Sequence, residues 1–459
     1  MVKRKVCIIG AGIGGLTVGV HLINKGYKVD IFEKEKFVGG RALSLDMSNY
    51  NYQSYKKLLS RFSMNIAFSE PDIKELFDKN KLNGYHLDLG YHVLGGGIIN
   101  KIKEILPLSD NEIDILESRL YEQKNDHFGY FVTNFEKIKM LPNILRLLTA
   151  GKRKMEELDK TPITETIKKY AEDKTKIVLE VNSRLITTVN NLDKISTGEV
   201  FRTQKDMGLK GVRYPKKGLA NISTILADHI KKEGGNIFLN SPVQKIIIKD
   251  EKVEGVIVKE KKHQYDVVIS NILVQNLFKI ADEKHFSKKY LKKLTSLEGS
   301  GSLCAYYSFK NLKNDLIGKT FVFIDRNVGV DGNDAAGMID FMAASPQAGL
   351  SPPDNYLVQS YIVCTPREAK DKKMLIKLRK ILDKNLEKII PDYKSNLNWC
   401  FYPTIWHLDG VAKTIENEKP DIKTPIKNLY LVGDCVKAPG IGFNCALNSA
   451  KILVEDILS

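Results

Sequence analysis

The sequence predicts an α/β protein built in two parts: a parallel-sheet part whose pieces are split along the chain, and an α+β part of mixed sheet and helices. Three observations predict this. Residues 5–33 read as strand, glycine turn, helix and strand. Strand and helix segments of the same kind return at 214–271 and 428–450, with long stretches of different character between them. The chain has 459 residues, 43% of them hydrophobic, which suits two or three domains with a sizeable core and excludes intrinsic disorder. No period of about 20–50 residues recurs, so solenoids and propellers are excluded as well.

Lys5–Ile9 is an apolar run stopped by glycine, the pattern of a buried parallel strand. Gly10-Ala-Gly12-Ile13-Gly14-Gly15 satisfies G-x-G-x-x-G, residues 16–25 have helical spacing up to Gly26, and residues 27–32 read as a second strand ending at Glu33. Gly10 permits the tight turn, Gly12 lets a pyrophosphate approach the backbone, and Gly15 lets helix and strand pack closely. Ile13 and Gly14 open the helix, whose unpaired N–H groups and positive dipole end attract phosphate. Glu33 follows by about 20 residues, where a carboxylate accepts hydrogen bonds from ribose hydroxyls and favours a ribose without a 2′-phosphate. The whole unit is a dinucleotide-binding fingerprint. Replacing Glu33 with Ala is expected to weaken cofactor retention without unfolding the chain. No second fingerprint occurs, so a separate nicotinamide site has no support.

After Glu33 comes Lys34-Glu-Lys-Phe-Val-Gly39-Gly40-Arg41. A Gly-Gly-Arg shortly after the ribose acid resembles the FAD-binding fingerprint of the flavin amine oxidase and phytoene desaturase superfamily. The resemblance implies a Rossmann-type FAD-binding domain, with Lys34, Gly40 and Arg41 at the cofactor and Arg41 as a charge-assisted phosphate ligand. Further segments are similar. Tyr85-His-Leu-Asp-Leu-Gly90-Tyr91-His92 resembles the family's strand that ends in Asp-x-Gly beside the isoalloxazine. Tyr214-Pro-Lys-Lys-Gly218 and an amphipathic helix over 219–232 resemble the start of its second FAD segment. In the family the Val that follows, here Val243, meets the adenine through its backbone. Residues 428–434 form an apolar run ending in Gly433-Asp434, where the family's Asp binds the ribityl chain or the pyrophosphate side. Pro439-Gly-Ile-Gly442-Phe443 opens a last helix, whose N–H groups would face the flavin's pyrimidine oxygen, where negative charge appears on reduction.

These motifs assign 1–100, 210–285 and 425–459 to the FAD-binding domain, and leave 101–209 and 286–424 for a substrate-binding domain. In the latter, residues 139–157, 162–180 and 370–390 read as helices. Residues 302–309, 321–325, 338–342 and 356–364 read as strands, so a mixed sheet covered by helices is expected. Residues 137–155 combine apolar residues with a basic end, which fits a helix on a membrane surface and equally a cap on the substrate domain.

The net charge of +16 reflects a lysine-rich surface or attraction to an anionic membrane. No zinc finger, RNA-recognition signature or basic-region heptad is present, so nucleic acid is not an expected partner. The six cysteines form no C-x-x-C pair, which points to reduced thiols and a cytoplasmic protein, peripheral to a membrane if bound to one. Basic residues before an apolar run over 6–23 imitate a targeting segment, but five glycines interrupt that run and a second strand follows. Gly318-Lys319-Thr320 lacks the first glycine of a P-loop, and no metal-ligand set is expected. Flavin chemistry needs no dedicated acid or base. Tyr91, His92 and His407 are nonetheless the candidates for catalytic roles, and the aromatics of 401–407 are candidates to wall the substrate cavity. Pro439-Gly-Ile-Gly442 is similar to the desaturase branch, whereas Gly433-Asp434 departs from the Gly-Ala common there. The resemblance therefore implies hydride transfer between FAD and C–C bonds of an apolar isoprenoid or carotenoid-like lipid. A flavin amine or protoporphyrinogen-type oxidase and a non-redox flavin isomerase remain as alternatives.

Overall fold

In a computed structural model describing residues 4–90, 93–95, 97–106, 115–124, 127–149, 151–207 and 211–458, five short apolar strands form a parallel sheet. Their order is Asn236–Phe238, Lys28–Phe32, Lys5–Ile9, Val267–Ser270 and Leu429–Leu431, so the sheet draws on widely separated pieces of chain. In the central strand every residue after Lys5 is buried, as expected for a parallel sheet covered on both faces. The covering helices are Ile13–Asn24, Ala220–Lys232 and Gly442–Leu458, and their apolar faces share one core with the sheet. A three-stranded antiparallel sheet, Val243–Lys249, Lys252–Val258 and Lys261–Gln264, sits at the edge of this core.

The second sheet has eight strands: Met64–Glu70, Leu397–Ile405, Gly301–Phe309, Tyr356–Cys364, Ala335–Asp340, Thr320–Asp325, Leu120–Gln123 and Phe128–Tyr130. All its pairings are antiparallel except that of Thr320–Asp325 with Leu120–Gln123, so the sheet is mixed. One face packs on Lys372–Ile389, whose first turn is capped by the Asp371 side chain. The other face holds the aromatic core of Tyr306, Trp399 and Phe401. The chain is thus α/β, with a second layer of mixed sheet and helices.

Three sequence readings change. The helix read over 139–157 is two helices, Asn134–Leu148 and Lys152–Asp159, separated by Gly151 in extended conformation. The helix read over 162–180 is also two, Ile163–Tyr170 and Asp173–Thr187, because Ala171 and Glu172 are extended. Of the strand read over 338–342, residues 338–340 belong to Ala335–Asp340, which starts earlier, and 341–342 lie beyond its end. Met64–Glu70, which falls within the first 100 residues, pairs with Leu397–Ile405 in the large sheet.

Candidate functional site

One cavity of about 750 Å³ lies where the two sheets meet. It is lined by Phe32, Glu33, Lys34, Pro242 and Val243, by Gly10, Gly12, Ile13, Gly14, Gly40 and Arg41, and by Gly433, Asp434, Gly442 and Phe443, together with His407 and Asp409. Its remaining wall is largely apolar and includes Met140, Val178, Leu185, Met338 and Tyr361. Expected cofactor residues from three distant stretches of sequence therefore share one surface.

The turn is built by close backbone approach. A Cβ on Gly15 would stand 2.2 Å from the Gly10 carbonyl oxygen, so this helix can seat on its strand only with glycine there. Gly10 has φ +97°, a left-handed conformation that glycine adopts without strain. Gly12 and Gly14 crowd the Asn271 side chain: a Cβ would lie 2.9 Å from Nδ2 at the first and 2.8 Å from Oδ1 at the second. No side chain caps the Ile13–Asn24 helix, which leaves its N-terminal amides to the cavity. Gly15 and Gly90 do not line the cavity. Gly15 acts by packing, as the sequence implied. Gly90 instead sits on the large sheet, with its N–H donating to the Tyr306 hydroxyl at 3.0 Å and Ile405 against its Cα.

Glu33 is 6% exposed and already engaged. Its Oε2 accepts from the Ala11 amide at 2.7 Å and its Oε1 from the Glu35 amide at 2.9 Å. Burial raises the carboxyl above its usual range, and these two donors pull it back. Each oxygen keeps a further lone pair for a hydroxyl donor.

Arg41 donates to Asp434 Oδ1 at 2.5 Å and to the carbonyl oxygens of His407 and Leu408 at 3.3 Å. Asp434 also accepts from the Gly410 amide at 2.8 Å. Burial alone would raise the Asp434 carboxyl, but Arg41 and these donors hold it well below the carboxylate range. Burial pushes the neighbouring Asp409 up, against the pull of Lys413 and Lys419, so the two acids differ in proton affinity.

His407 lines the cavity with Nδ1 buried and without a hydrogen-bond partner among the described residues. Burial, then the nearby Arg41 charge, lower its pKa, which favours the neutral imidazole. Tyr91 and His92 lie outside the described residues. The aromatics expected as a wall are elsewhere: Phe401 and Tyr402 are wholly buried on opposite faces of their strand, and the Tyr402 hydroxyl donates to Asp383 at 2.5 Å. Sequence reasoning overlooked Asn271, Asp409 and Met140. Asn271 had a legible signal, since it directly follows a buried parallel strand, where ligands collect in open α/β sheets.

The flavin containing amine oxidoreductase family matches residues 77–458, and a Rossmann-like NAD(P)-binding domain matches residues 8–79. The chain belongs to this flavin-containing oxidoreductase family. A 1-hydroxycarotenoid 3,4-desaturase of Flavobacterium sp. is 22% identical over 497 residues, covering 98% of this chain and 98% of its own. A 4,4′-diapolycopen-4-al dehydrogenase of Metabacillus indicus is 21% identical over 503 residues, covering 99% and 97%. Among solved structures, an oxidoreductase from Methanosarcina mazei superposes with a TM-score of 0.69 at 21% identity, covering 98% of this chain and 100% of that one. A putrescine oxidase variant gives 0.64 at 10% identity, covering 99% of both chains. These two share the fold.

The protein is an FAD-dependent oxidoreductase, and its cavity suits that cofactor. The glycine cradle admits a diphosphate because no Cβ stands in it, and uncapped amides face it. His407 also lines the cavity, with its buried Nδ1 packed toward Gly299. FAD supplies hydride acceptance or donation. The chain supplies a cavity wall that is largely apolar and includes His407.

Proposed function

We propose that this flavoenzyme transfers hydride between FAD and a C–C bond of an apolar isoprenoid or carotenoid-like lipid, as a desaturase or a saturase. The carrying observation is that the cavity continues from the glycine turn into a wall of Met140, Val178, Leu185, Met338 and Tyr361, suited to a polyene. The carotenoid enzymes among its full-length relatives support the same class. In this reading Glu33 and Lys34 hold the adenosine end, with Val243 at the adenine. Gly10, Gly12, Ile13 and Gly14 cradle the diphosphate while Gly40, Arg41, Gly433 and Asp434 flank it, and Gly442 and Phe443 meet the flavin. Removal of two hydrogens from a C–C bond releases a hydride, taken by FAD, and a proton, which in this reading goes to His407, a residue of the cavity wall. The domain division expected from the motifs belongs to this proposal. The strand composition of the five-stranded sheet supports it, and Met64–Glu70 is better grouped with the substrate domain. Among the described residues no helix is long and apolar enough to cross a membrane, so lipid contact in this reading is peripheral.

The test is an anaerobic titration of the purified holoprotein, following the visible flavin band. Phytoene in detergent should bleach the oxidised band, or restore the band of the reduced protein if the enzyme saturates. Bleaching by putrescine or protoporphyrinogen with none by phytoene would replace this reading with an amine or tetrapyrrole oxidase. Product formation from phytoene with no net change of the band would indicate an isomerase.

A further inference from the structure

Several charged side chains of the cavity are already paired. Arg41 holds Asp434 at 2.5 Å, Arg61 holds Glu35 at 2.7 Å, and Glu33 is engaged by two amides. Arg119 and Lys137 differ. Both line the cavity, both are partly exposed, and neither has a carboxylate partner among the described residues. Chain continuity sets them beside the apolar wall. Arg119 precedes Leu120, which lines the cavity and packs on the aromatic core. Lys137 stands three residues before Met140, which also lines the cavity and belongs to that core.

Arg119 is pre-organised. Its guanidinium carbon lies 3.9 Å from the centroid of the Tyr130 ring, and its Nη2 donates to Asn134 Oδ1 at 3.0 Å. Stacking occupies a face of the guanidinium and the hydrogen bond uses one of its five N–H groups, so four donors remain. Lys137, three positions after Asn134, adds an ammonium. The described acids nearest to the pair in sequence are spent elsewhere. Glu117 pairs with Arg213 at 2.5 Å, and both Glu122 oxygens accept from Lys174 Nζ at 2.8 Å. Glu136 accepts from the Thr133 amide at 2.6 Å and hydroxyl at 2.8 Å. Two cations beside an apolar wall, with their local acids consumed, suit an amphiphile. Its chain lies against the wall and its anionic head meets the cations. Because both cations keep contact with solvent, pairing costs them little desolvation.

We propose that Arg119 and Lys137 bind the anionic head, a carboxylate or a phosphate, of an isoprenoid substrate whose chain occupies the apolar part of the cavity. This deepens the functional reading above and rests on it for the reaction, whereas the anion site rests on the two cations. The Arg119 fork matches two oxygens of either head, and Lys137 adds a point charge. A head held at one place also fixes the register of the chain, so its length selects which C–C bond is presented for hydride transfer.

The experiment uses the FAD-loaded full chain in a neutral detergent with three labelled ligands that share one chain: geranylgeraniol, geranylgeranoic acid and geranylgeranyl phosphate. Affinity is read by gel filtration in the presence of ligand. At least one of the two acids should bind roughly tenfold or more tighter than the alcohol, and the tighter of them identifies the head as carboxylate or phosphate. Added salt should weaken binding of that acid and spare the alcohol. In R119Q/K137Q the ratio of acid to alcohol affinity should fall to about one, and R119K should keep a preference between the two, since it retains the charge without the fork. Unchanged flavin content and elution volume show that the variants fold. The proposal is overturned if the wild type binds acids and alcohol equally, or if R119Q/K137Q keeps the full preference. Equal binding together with bleaching of the flavin by the alcohol would overturn the anion site and leave the functional reading intact. A preference for the acid that R119Q/K137Q abolishes, with no flavin response to any of the three ligands or to phytoene, would defeat the functional reading and leave the anion site standing.

Discussion

Glu33 stands at the end of the Lys28–Phe32 strand and closes the glycine turn by accepting from the Ala11 and Glu35 amides. Its removal therefore has two costs. Glu33→Ala should release FAD readily, read by visible absorbance after gel filtration. It should also lower the denaturation midpoint of the apoprotein, because each orphaned buried amide costs roughly 1–3 kcal/mol. The sequence alone suggested the first cost only. Gly15→Ala acts without touching a ligand. Its Cβ would meet a backbone oxygen at 2.2 Å, and neither partner is a flexible side chain. Overpacking of this kind costs about 1–3 kcal/mol, and the displaced turn should also fail to retain FAD. His407→Gln should leave flavin content unchanged and slow turnover of substrate. An unaltered rate would remove His407 from the proton transfer.

Among the elements, Lys372–Ile389 shows how local signals suffice when they agree. Its apolar residues Leu375, Leu378, Leu382, Leu386 and Ile389 recur on one face and meet the large sheet, and Asp371 accepts from the Met374 amide at 2.9 Å. Asp371→Ala should destabilise the protein by about 1 kcal/mol in urea titrations and leave flavin binding intact, since the helix lies on the sheet face away from the aromatic core. The helices over 134–187 were harder to delimit. Gly151 interrupts one helical pattern and the extended pair Ala171–Glu172 interrupts the other, and neither break carries a proline. Leu397–Ile405 escaped recognition for a different reason. Both its faces are buried, so it shows no alternation of apolar and polar residues, and its proline sits at a register shift.

At the scale of the whole molecule, stability should depend on pH through Asp340. This residue ends an inner strand of the large sheet, is 1% exposed, accepts from the Thr320 hydroxyl at 2.7 Å through Oδ1, and has no partner for Oδ2 among the described residues. Burial raises its pKa to about 6. An unfolded aspartate titrates near about 4, so between these values the folded chain holds a proton that the unfolded chain has lost. Stability therefore falls as pH rises from about 4 to about 6, and this term is constant above. Asp340→Asn removes the term. The gain of the variant over the wild type in urea titrations should grow across that window and level off at roughly 3 kcal/mol by pH 7. A gain that does not change with pH would show that Asp340 is not protonated in the fold.

Sequence by itself determined the dinucleotide turn, its flanking strands and the family, because each rests on contacts between near neighbours: a strand stopped by glycine, a helix without a cap, an acid at fixed spacing. It also determined the α/β class, since apolar periodicity survives without knowledge of partners. Only the tertiary structure decided that Arg41 pairs with Asp434, 393 positions away, that Gly90 supports the sheet and leaves the cavity to others, and that Phe401 and Tyr402 are core. Long-range burial set those outcomes, and a residue's type does not specify which distant surface will cover it.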